Sequence, residues 1–200
     1  MEVLSANFYE ENSKKFSDTR FCLWDVVRNF GENFKKESLV LDAGCGNGKN
    51  MRYFKDICNI VGIDKCNSLV NICNEKGYNV SQSEINNIPF NENIFDHIIC
   101  IAVLHHLESE EKRVNAIQEM IRVLKPGGKL LVTCWAFESD EYSKKKNFKK
   151  GDNFVKFNKE EILRYYYIYD KEGFKQLCEK AYNNVDITWD RGNWNAIFTK

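Results

Sequence analysis

The stretch Leu39-Val-Leu-Asp-Ala-Gly-Cys-Gly-Asn-Gly48 decides the fold, because an apolar strand runs through one acid into a turn with three glycines in five residues. Such a turn brings backbone N–H groups close to a bound nucleotide-like ligand, without interference from side chains. The next apolar run, Ile60-Val-Gly-Ile63, ends in Asp64, which lies beside the glycine turn if the two strands are parallel neighbours. An acid at that position is typical of a site for a ribose with free hydroxyls.

Dinucleotides and S-adenosylmethionine are the two cofactor classes that use this geometry. A dinucleotide site has its third glycine three residues after the second, so that a helix packs over the pyrophosphate. Here Gly48 follows Gly46 by only two positions, and Asp42 would repel phosphates while suiting a positively charged methionine end. The sequence therefore favours S-adenosylmethionine, and a nicotinamide dehydrogenase remains as a less favoured alternative.

Composition predicts one domain over residues 1–200, since 43% of the residues are hydrophobic and no Pro/Gly/Ser-rich stretch divides the chain. The start lacks a basic segment followed by an apolar one, and no apolar run approaches ~20 residues. We therefore expect a protein that is neither secreted nor membrane-bound. The eight cysteines form no Cys-x-x-Cys pair, which predicts reduced thiols, a cytoplasmic or nuclear location and no metal site.

The alternation of apolar runs and helical patterns predicts an α/β fold of the Rossmann-like, doubly wound type, with a mostly parallel sheet. Phe95–Ile101 and Lys129–Trp135 are the fourth and fifth strands, and Val80 marks a short third one. Helices are expected from Asn67 or Ser68 to Gly77, after the Ser109 cap, and over 172–180. A C-terminal antiparallel hairpin over 185–198 makes the sheet seven-stranded, and residues 136–160 form an insertion over the active-site crevice.

In such sheets the ligand binds beyond the C-terminal strand ends, at the point where the strand order reverses. The glycine turn, Asp64, Glu84 and the segment Ala102–His106 follow four successive strands and therefore border one crevice. The predicted cofactor-binding residues are Asp42, Gly44, Cys45, Gly46, Asn47, Gly48, Asp64, Lys65, Glu84, Ile85 and Ala102.

Residues 38–136 carry motifs that resemble those of the Rossmann-like S-adenosylmethionine-dependent methyltransferases. These motifs are the glycine turn, Asp64, the turn Ile88-Pro-Phe90 and the segment Leu124-Lys-Pro-Gly-Gly128. The resemblance implies that Asp64 holds the ribose hydroxyls and that Glu84 stands near the adenine amine.

Further motifs extend over nearly the full length of the chain. They are Phe16-Ser-Asp-Thr-Arg20 with Trp24, Ile101-Ala-Val-Leu-His-His106, Arg113, Cys134-Trp-Ala136, Arg164-Tyr-Tyr166 with Glu172-Gly173, and Asp190-Arg-Gly-Asn-Trp194. Together they resemble the motifs of the eukaryotic tRNA wobble-uridine carboxymethyl methyltransferases. This resemblance implies methylation of 5-carboxymethyluridine in a tRNA anticodon to its methyl ester. It also implies a small zinc-binding activator protein as the partner in a heterodimer. One departure is Tyr167, where the family usually has His.

Methyl transfer to a carboxylate requires positioning rather than a strong base, since the acid is already ionised at neutral pH. Arg20 and Arg164 are the candidates for gripping the carboxylate or a tRNA phosphate, because a planar guanidinium binds such groups at two points. His105 and His106 follow the fourth strand, where they reach the uracil edge or the carboxylate. These four residues are the predicted catalytic group.

The predicted substrate-binding residues are Tyr167, Arg191, Asn193 and Trp194. The aromatic side chains among them are expected to stack on extruded anticodon bases. Aromatic clusters are more often part of a core. We therefore expect at least two of Tyr165, Tyr166, Tyr167 and Trp194 to be packed inside, and Arg191 to lie at the surface.

The third strand, near Tyr78–Gln82, is expected at the edge of the sheet, where another chain can add a strand. We assign the activator to this edge. The alternatives are a small-molecule O- or N-methyltransferase, and a non-catalytic RNA- or partner-binding subunit that keeps the fold; Tyr167 is the feature that favours the second.

Overall fold

The computed structural model describes residues 9–14, 22–138, 148–156 and 163–200, so the candidate Arg20 lies outside the described residues. Within these ranges no helix is long and apolar enough to cross a membrane. The elements are α1 (Asp25–Gly31), β1 (Leu39–Ala43), α2 (Lys49–Phe54), β2 (Asn59–Asp64), α3 (Asn67–Glu75), β3 (Val80–Gln82), β4 (Phe95–Ile101), a 3₁₀ turn (Leu104–His106), α4 (Glu110–Val123), β5 (Leu124–Trp135), β6 (Gly151–Lys156), β7 (Leu163–Ile168), α5 (Lys171–Ala181), β8 (Val185–Asp190) and β9 (Asn193–Thr199).

The predicted seven-stranded sheet is confirmed, with the strand order β3-β2-β1-β4-β5-β9-β8. Strands β1 to β5 pair in parallel, and the hairpin β8–β9 joins antiparallel to β5. The strand order reverses between β1 and β4, since β1 continues to β2 on one side while β4 lies on the other. A crevice at the C-terminal ends of these two strands follows from this topology.

Both faces of the sheet are covered, which explains why β4 is an almost continuous apolar run. Ile98 and Cys100 face the core formed with α4 and α5. The alternate residues Ile99 and Ile101 face the core formed with α1 and α2. Helix α3 packs on that second face too, through Val70, which lies in a buried cluster with the α2 residue Met51. The arrangement is the predicted doubly wound one.

Two predicted element boundaries need correction. Neither Asn67 nor Ser68 caps α3; instead the carboxylate of Glu10 accepts hydrogen bonds from both of their backbone N–H groups, at 2.6 and 2.9 Å. Strand β5 begins directly after α4 at Leu124 rather than at Lys129. The Pro-Gly-Gly segment lies inside β5 as an irregularity, and regular pairing with β4 starts at Lys129.

The predicted insertion contains structure that its sequence did not indicate. Strand β6 pairs antiparallel with β7 as a separate two-stranded sheet. Lys150, from the basic cluster of this region, forms an ion pair with Asp170. Residues 139–147 and 157–162, including the lysines at 144–146, lie outside the described residues.

The glycine at position 44 is required by packing within the protein. Gly44 has φ of +78°, and a Cβ added to it would lie 2.5 Å from Cγ2 of Val103. Gly127 has a similar φ of +77°, but a Cβ there meets nothing within 4 Å. Alanine substitutions at these two positions therefore separate the cost of backbone strain from the cost of steric overlap.

We expect Gly127→Ala to cost about 1–2 kcal/mol of unfolding free energy, from the left-handed conformation alone. Gly44→Ala adds an overlap worth about 1–3 kcal/mol more. Urea denaturation of both variants measures the difference. Equal losses would contradict the packing role of Gly44.

Candidate active site

A cleft of about 1090 Å³ opens at the C-terminal edge of the parallel strands. Its floor consists of the segments that follow β1 to β4, its far wall comes from β5 and β7, and the β8–β9 turn closes one side. The lining residues that matter here are Tyr9, Glu10, Gly44–Asn47, Asp64, Lys65, Glu84, Ile85, Ala102, His105, His106, Trp135, Arg164, Tyr166, Arg191, Asn193 and Asn195. The volume is at the upper end for one small-molecule site, so the cleft can hold a cofactor together with part of a substrate.

Asp64 ties the glycine turn to the second strand. Its Oδ2 accepts a hydrogen bond from the N–H of Gly46 at 2.8 Å, and its Oδ1 accepts one from Cys66 at 2.9 Å. Burial raises the pKa of this carboxyl. Because each carboxylate oxygen has a second lone pair, Asp64 can still accept hydrogen bonds from two ligand hydroxyls.

Nine of the eleven predicted cofactor-binding residues line the cleft, and Asp42 and Gly48 do not. Asp42 is fully buried behind the turn, where the Nδ2 of Asn50 lies 3.4 Å from one of its oxygens. Gly48 is also inside, since a Cβ added to it would lie 2.7 Å from the ring of Tyr78. Direct ligand contact by these two residues is therefore not supported, and Gly48 serves the packing of α2.

The chain turns sharply where β4 ends at the cleft. Ala102 has φ of +58°, a conformation that non-glycine residues rarely adopt, and its N–H donates to the Oγ1 of Thr133 at 3.0 Å. The chain then enters the 3₁₀ turn that carries both histidines. Arg113 holds the end of this turn, as its Nη1 donates to the carbonyl of Leu107 at 2.5 Å.

His105 is a fixed part of the wall. It is fully buried, and its Nδ1 accepts a hydrogen bond from the backbone N–H of Trp135 at 3.1 Å. Because that nitrogen uses its lone pair, the ring is neutral with its proton on Nε2. His105 therefore orients Trp135, whose ring lies 5.3 Å away.

His106 presents a lone pair to the cleft. Its Nδ1 donates to the carbonyl of Tyr165 at 3.0 Å, so its Nε2 is the acceptor and faces the hydroxyl of Tyr9 at 3.4 Å. Burial, with a further contribution from the charge of Arg164, lowers the pKa of His106 to about 4. His106 is consequently neutral at physiological pH and a weak base.

Arg164 and Tyr166 form the far wall. The ring of Tyr166 stacks on Trp135 at 4.3 Å with an interplanar angle of 4°, and it lies 4.4 Å from His106. The guanidinium of Arg164 is 5.2 Å from the centre of the Tyr166 ring, and the side chain is buried. The predicted candidates His106 and Arg164 are therefore brought together.

Tyr167 lies on the opposite face of β7, and its predicted role in substrate binding is not supported. Side chains alternate along a strand, so residues 164 and 166 face the cleft while 165 and 167 face away. The ring of Tyr167 packs instead under the guanidinium of Arg113, 4.0 Å from its centre. The one departure from the family pattern is therefore remote from the cleft.

The β8–β9 turn brings Arg191 and Asn193 to the cleft but leaves Trp194 out. Arg191 is exposed and forms an ion pair with Asp25 at 3.0 Å. Trp194 is buried in the core on the other face, where its Nε1 donates to Glu138 at 3.0 Å. The expectation that at least two aromatic candidates are packed inside is confirmed by Tyr165, Tyr166 and Trp194.

Several residues that line the cleft were missed at the sequence level, and Tyr9, Glu10 and Asn195 are among them. Tyr9 and Glu10 belong to a segment without a recognisable motif, and Asn195 lies one residue beyond the quoted Asp190–Trp194 segment. Only the alternation of β9, which puts Asn195 on the same face as Asn193, could have indicated it. Among the described residues no group of three or more His, Cys, Asp or Glu is placed to hold a metal ion.

Charge is distributed unequally along the cleft. The acids Glu10, Asp64 and Glu84 lie at the end that contains the glycine turn, where they outnumber the lysines Lys49 and Lys65; the ammonium of Lys65 lies 3.4 Å from Glu84. The other end contains the guanidinium of Arg164 beside two neutral histidines, with Glu108 and Lys112 also on the lining. The first end suits a cationic ligand and the second an anionic one.

Comparisons with known proteins agree with this geometry. A family model described as a methyltransferase domain matches residues 41–132. A tRNA (carboxymethyluridine(34)-5-O)-methyltransferase of Arabidopsis thaliana is 43% identical over 135 residues, which are 68% of this chain and 33% of that protein. A putative methyltransferase of Encephalitozoon cuniculi is 38% identical over 200 residues, covering 96% of this chain and 93% of that protein.

Among solved structures, a complex between the Haloferax volcanii Trm112 methyltransferase activator and a putative methyltransferase matches with a TM-score of 0.66. The identity is 12%, and 96% of each chain is covered. A likeness at that identity shows the fold alone. The chain spans about a third of the length of the Arabidopsis relative and nearly all of the Encephalitozoon one.

The buried Asp42 makes a testable contribution to the pH dependence of stability. Burial raises its pKa from 3.8 to about 7. A carboxyl whose pKa is raised on folding contributes stability at low pH that is lost as the pH rises, here between about pH 4 and pH 7. Asp42→Asn keeps an acceptor for Asn50 and removes this loss. Between pH 4.5 and pH 8, we therefore expect the free energy of unfolding of the variant to rise relative to that of the wild type by at least about 1.4 kcal/mol. Urea denaturation at both pH values measures this change.

The exposed acid Asp56 is the matched control, since its side chain is 85% accessible. Asp56→Asn should follow the wild-type pH profile. Parallel profiles for the wild type and Asp42→Asn would show that Asp42 is ionised in the folded protein throughout this range.

Proposed function

This chain belongs to the tRNA carboxymethyluridine methyltransferase family, and from that premise we propose that it methylates the carboxylate of 5-carboxymethyluridine at the wobble position of a tRNA, with S-adenosylmethionine as donor. One observation carries the proposal: a single cleft joins the acid-rich glycine turn to the wall formed by Arg164 and His106. A cationic donor and an anionic acceptor each find a matching end of this cleft.

The residues at the glycine turn fit S-adenosylmethionine. Asp64 retains lone pairs for two ribose hydroxyls, and the backbone of Gly44–Asn47 borders the space where a methionine moiety would lie. Ile85 offers an apolar surface and Glu84 a carboxylate beside it. When bound, S-adenosylmethionine supplies a methyl group attached to a positively charged sulfur.

Arg164 is the residue we assign to the acceptor carboxylate. Its guanidinium offers two parallel N–H donors, whereas the Nε2 of His106 can only accept a hydrogen bond and would repel a carboxylate oxygen. The low pKa of His106 also keeps a second positive charge away from Arg164. The two side chains therefore act in complementary ways on different groups of the substrate.

The absence of a strong base among these residues favours a carboxylate acceptor over an alcohol or an amine. A histidine with a pKa of about 4 removes a proton poorly at neutral pH. A carboxylate needs no deprotonation, because its acid has a pKa near 4. This chemistry disfavours a small-molecule methyltransferase that acts on an alcohol or an amine. The non-catalytic alternative is weakened too, since Tyr167 does not reach the cleft.

We also propose the tRNA anticodon loop and a small zinc-binding activator as partners. Strand β3 is at the sheet edge, where Ser81 and Gln82 are exposed. The side-chain amide of Asn74 occupies part of this edge, as it bonds both the N–H and the carbonyl of Val80 at 3.1 Å. A strand added by the activator would therefore pair next to Gln82 and replace the contacts of Asn74.

The function is tested with Arg164→Lys, which keeps the charge and loses the planar pair of donors. With carboxymethylated tRNA and labelled S-adenosylmethionine, we expect wild-type protein and activator to produce the methyl ester, identified by nucleoside mass analysis. The variant should lose about 100-fold in kcat/KM, as for a charge-assisted bidentate contact, while the cofactor Kd stays within twofold. Arg52→Lys, on the exposed side of α2, is the control. Unchanged turnover in Arg164→Lys would refute the assignment.

The partner surface is tested by two pairs of lysine substitutions on opposite edges of the sheet. Ser81→Lys with Gln82→Lys places charges on β3, and charged edges resist strand addition. Capture of the activator should fall at least tenfold. Asp186→Lys with Thr188→Lys, exposed positions on the other edge strand β8, should leave capture unchanged. Equal capture by both double variants would place the partner elsewhere.

A further inference from the structure

Asn195, in β9, has a buried amide with no hydrogen-bond partner among the residues that the structure describes. The residue is 1% exposed, and neither its Oδ1 nor its Nδ2 is bonded. Most buried polar side-chain atoms in folded proteins have a partner, because an unbonded one is costly. A fully buried amide with both atoms unbonded therefore points to a group that is absent from the protein itself.

Asn195 lies within the wall of the cleft. Asn195 pairs with Thr133 of β5 and Thr188 of β8, on the same face of β9 as Asn193. It lines the cleft and also a second cavity of about 460 Å³ beneath α1. The ion pair between Arg191 and Asp25 stands at the boundary of these two spaces.

The position of Asn195 places it on the acceptor side of the cleft. Strand β9 is two strands away from β4, whose end carries Ala102, and this spacing corresponds to about 10 Å. A uracil ring with a carboxymethyl arm spans such a separation when the arm points toward the donor. The atoms of uracil next to the arm-bearing C5 are the O4 carbonyl and then N3–H.

An asparagine amide offers one donor and one acceptor side by side, which is why it pairs with base edges at two points. O4 and N3–H of uracil present the complementary acceptor and donor. We propose that Asn195 binds the Watson–Crick edge of the wobble uracil through both amide atoms. The inference rests on the proposed function and assigns a specificity-determining residue to it.

The test uses an anticodon stem-loop RNA with 5-carboxymethyluridine at the wobble position, and a second RNA in which N3 of that base is methylated. Full-length wild-type protein with its activator should lose about 30-fold in kcat/KM on the N3-methylated RNA, as for two lost hydrogen bonds. Asn195→Leu should lose a similar factor on the unmodified base and no longer discriminate between the two RNAs. The Kd for S-adenosylmethionine should stay within twofold.

Thermal stability separates this role from a structural one. Removal of a partnerless buried amide should leave the Tm of Asn195→Leu unchanged or higher. Asn29→Leu is the matched control, because Asn29 lines the second cavity but not the cleft, and it should keep wild-type kinetics.

Three results would overturn the inference: wild-type kcat/KM in Asn195→Leu, a lowered Tm together with weaker cofactor binding, or an equal kinetic loss in Asn29→Leu. If Asn195→Leu fails to fold, the wild-type comparison of the two RNAs still decides, and equal rates on both would refute the inference. No methyl ester with either RNA would instead refute the proposed function.

Discussion

The reversal of strand order between β1 and β4 is the constraint on which the whole site depends. Chain segments leave these neighbouring strands toward opposite sides, so the sheet edge between them stays open as a cleft. The carboxylate of Asp64 then fixes the turn after β1 by accepting the N–H of Gly46. On the other side, the left-handed Ala102 bends the chain so that the histidine turn faces the same space.

The cleft combines two opposite electrostatic environments because different strands supply its two ends. Acids follow β2 and β3, and the guanidinium of Arg164 comes from β7, outside the parallel sheet. Burial maintains the contrast by keeping His106 neutral beside Arg164. One end of the cleft can therefore hold a cationic donor and the other an anionic acceptor, because the acids and the guanidinium that bind them lie at different ends.

Sequence patterns predicted the sheet and the glycine turn because their signals are local. An apolar run followed by glycines, or by an acid, determines its own conformation. Patterns could not tell which face of β7 or β9 enters the cleft, and Tyr167 and Trp194, which were predicted to bind substrate, face away from it. A one-residue change of register reverses every side chain of a strand. The contact of Glu10 with α3 was also beyond reach, since it joins segments far apart in the chain.

Two of the buried polar groups that oppose folding lie near the cleft. Asp42 lies behind the glycine turn with a raised pKa, and Asn195 lies beneath the opposite end with both amide atoms unbonded. Apolar side chains at these positions would satisfy the core better, so packing alone does not explain either residue. Proteins depart from such folding rules mainly at functional sites. Asp42 adds latent negative charge near the donor end, and Asn195 adds hydrogen-bonding capacity near the acceptor end. These two unfavourable groups thus stand near the same two ends of the site that the charges of the cleft define.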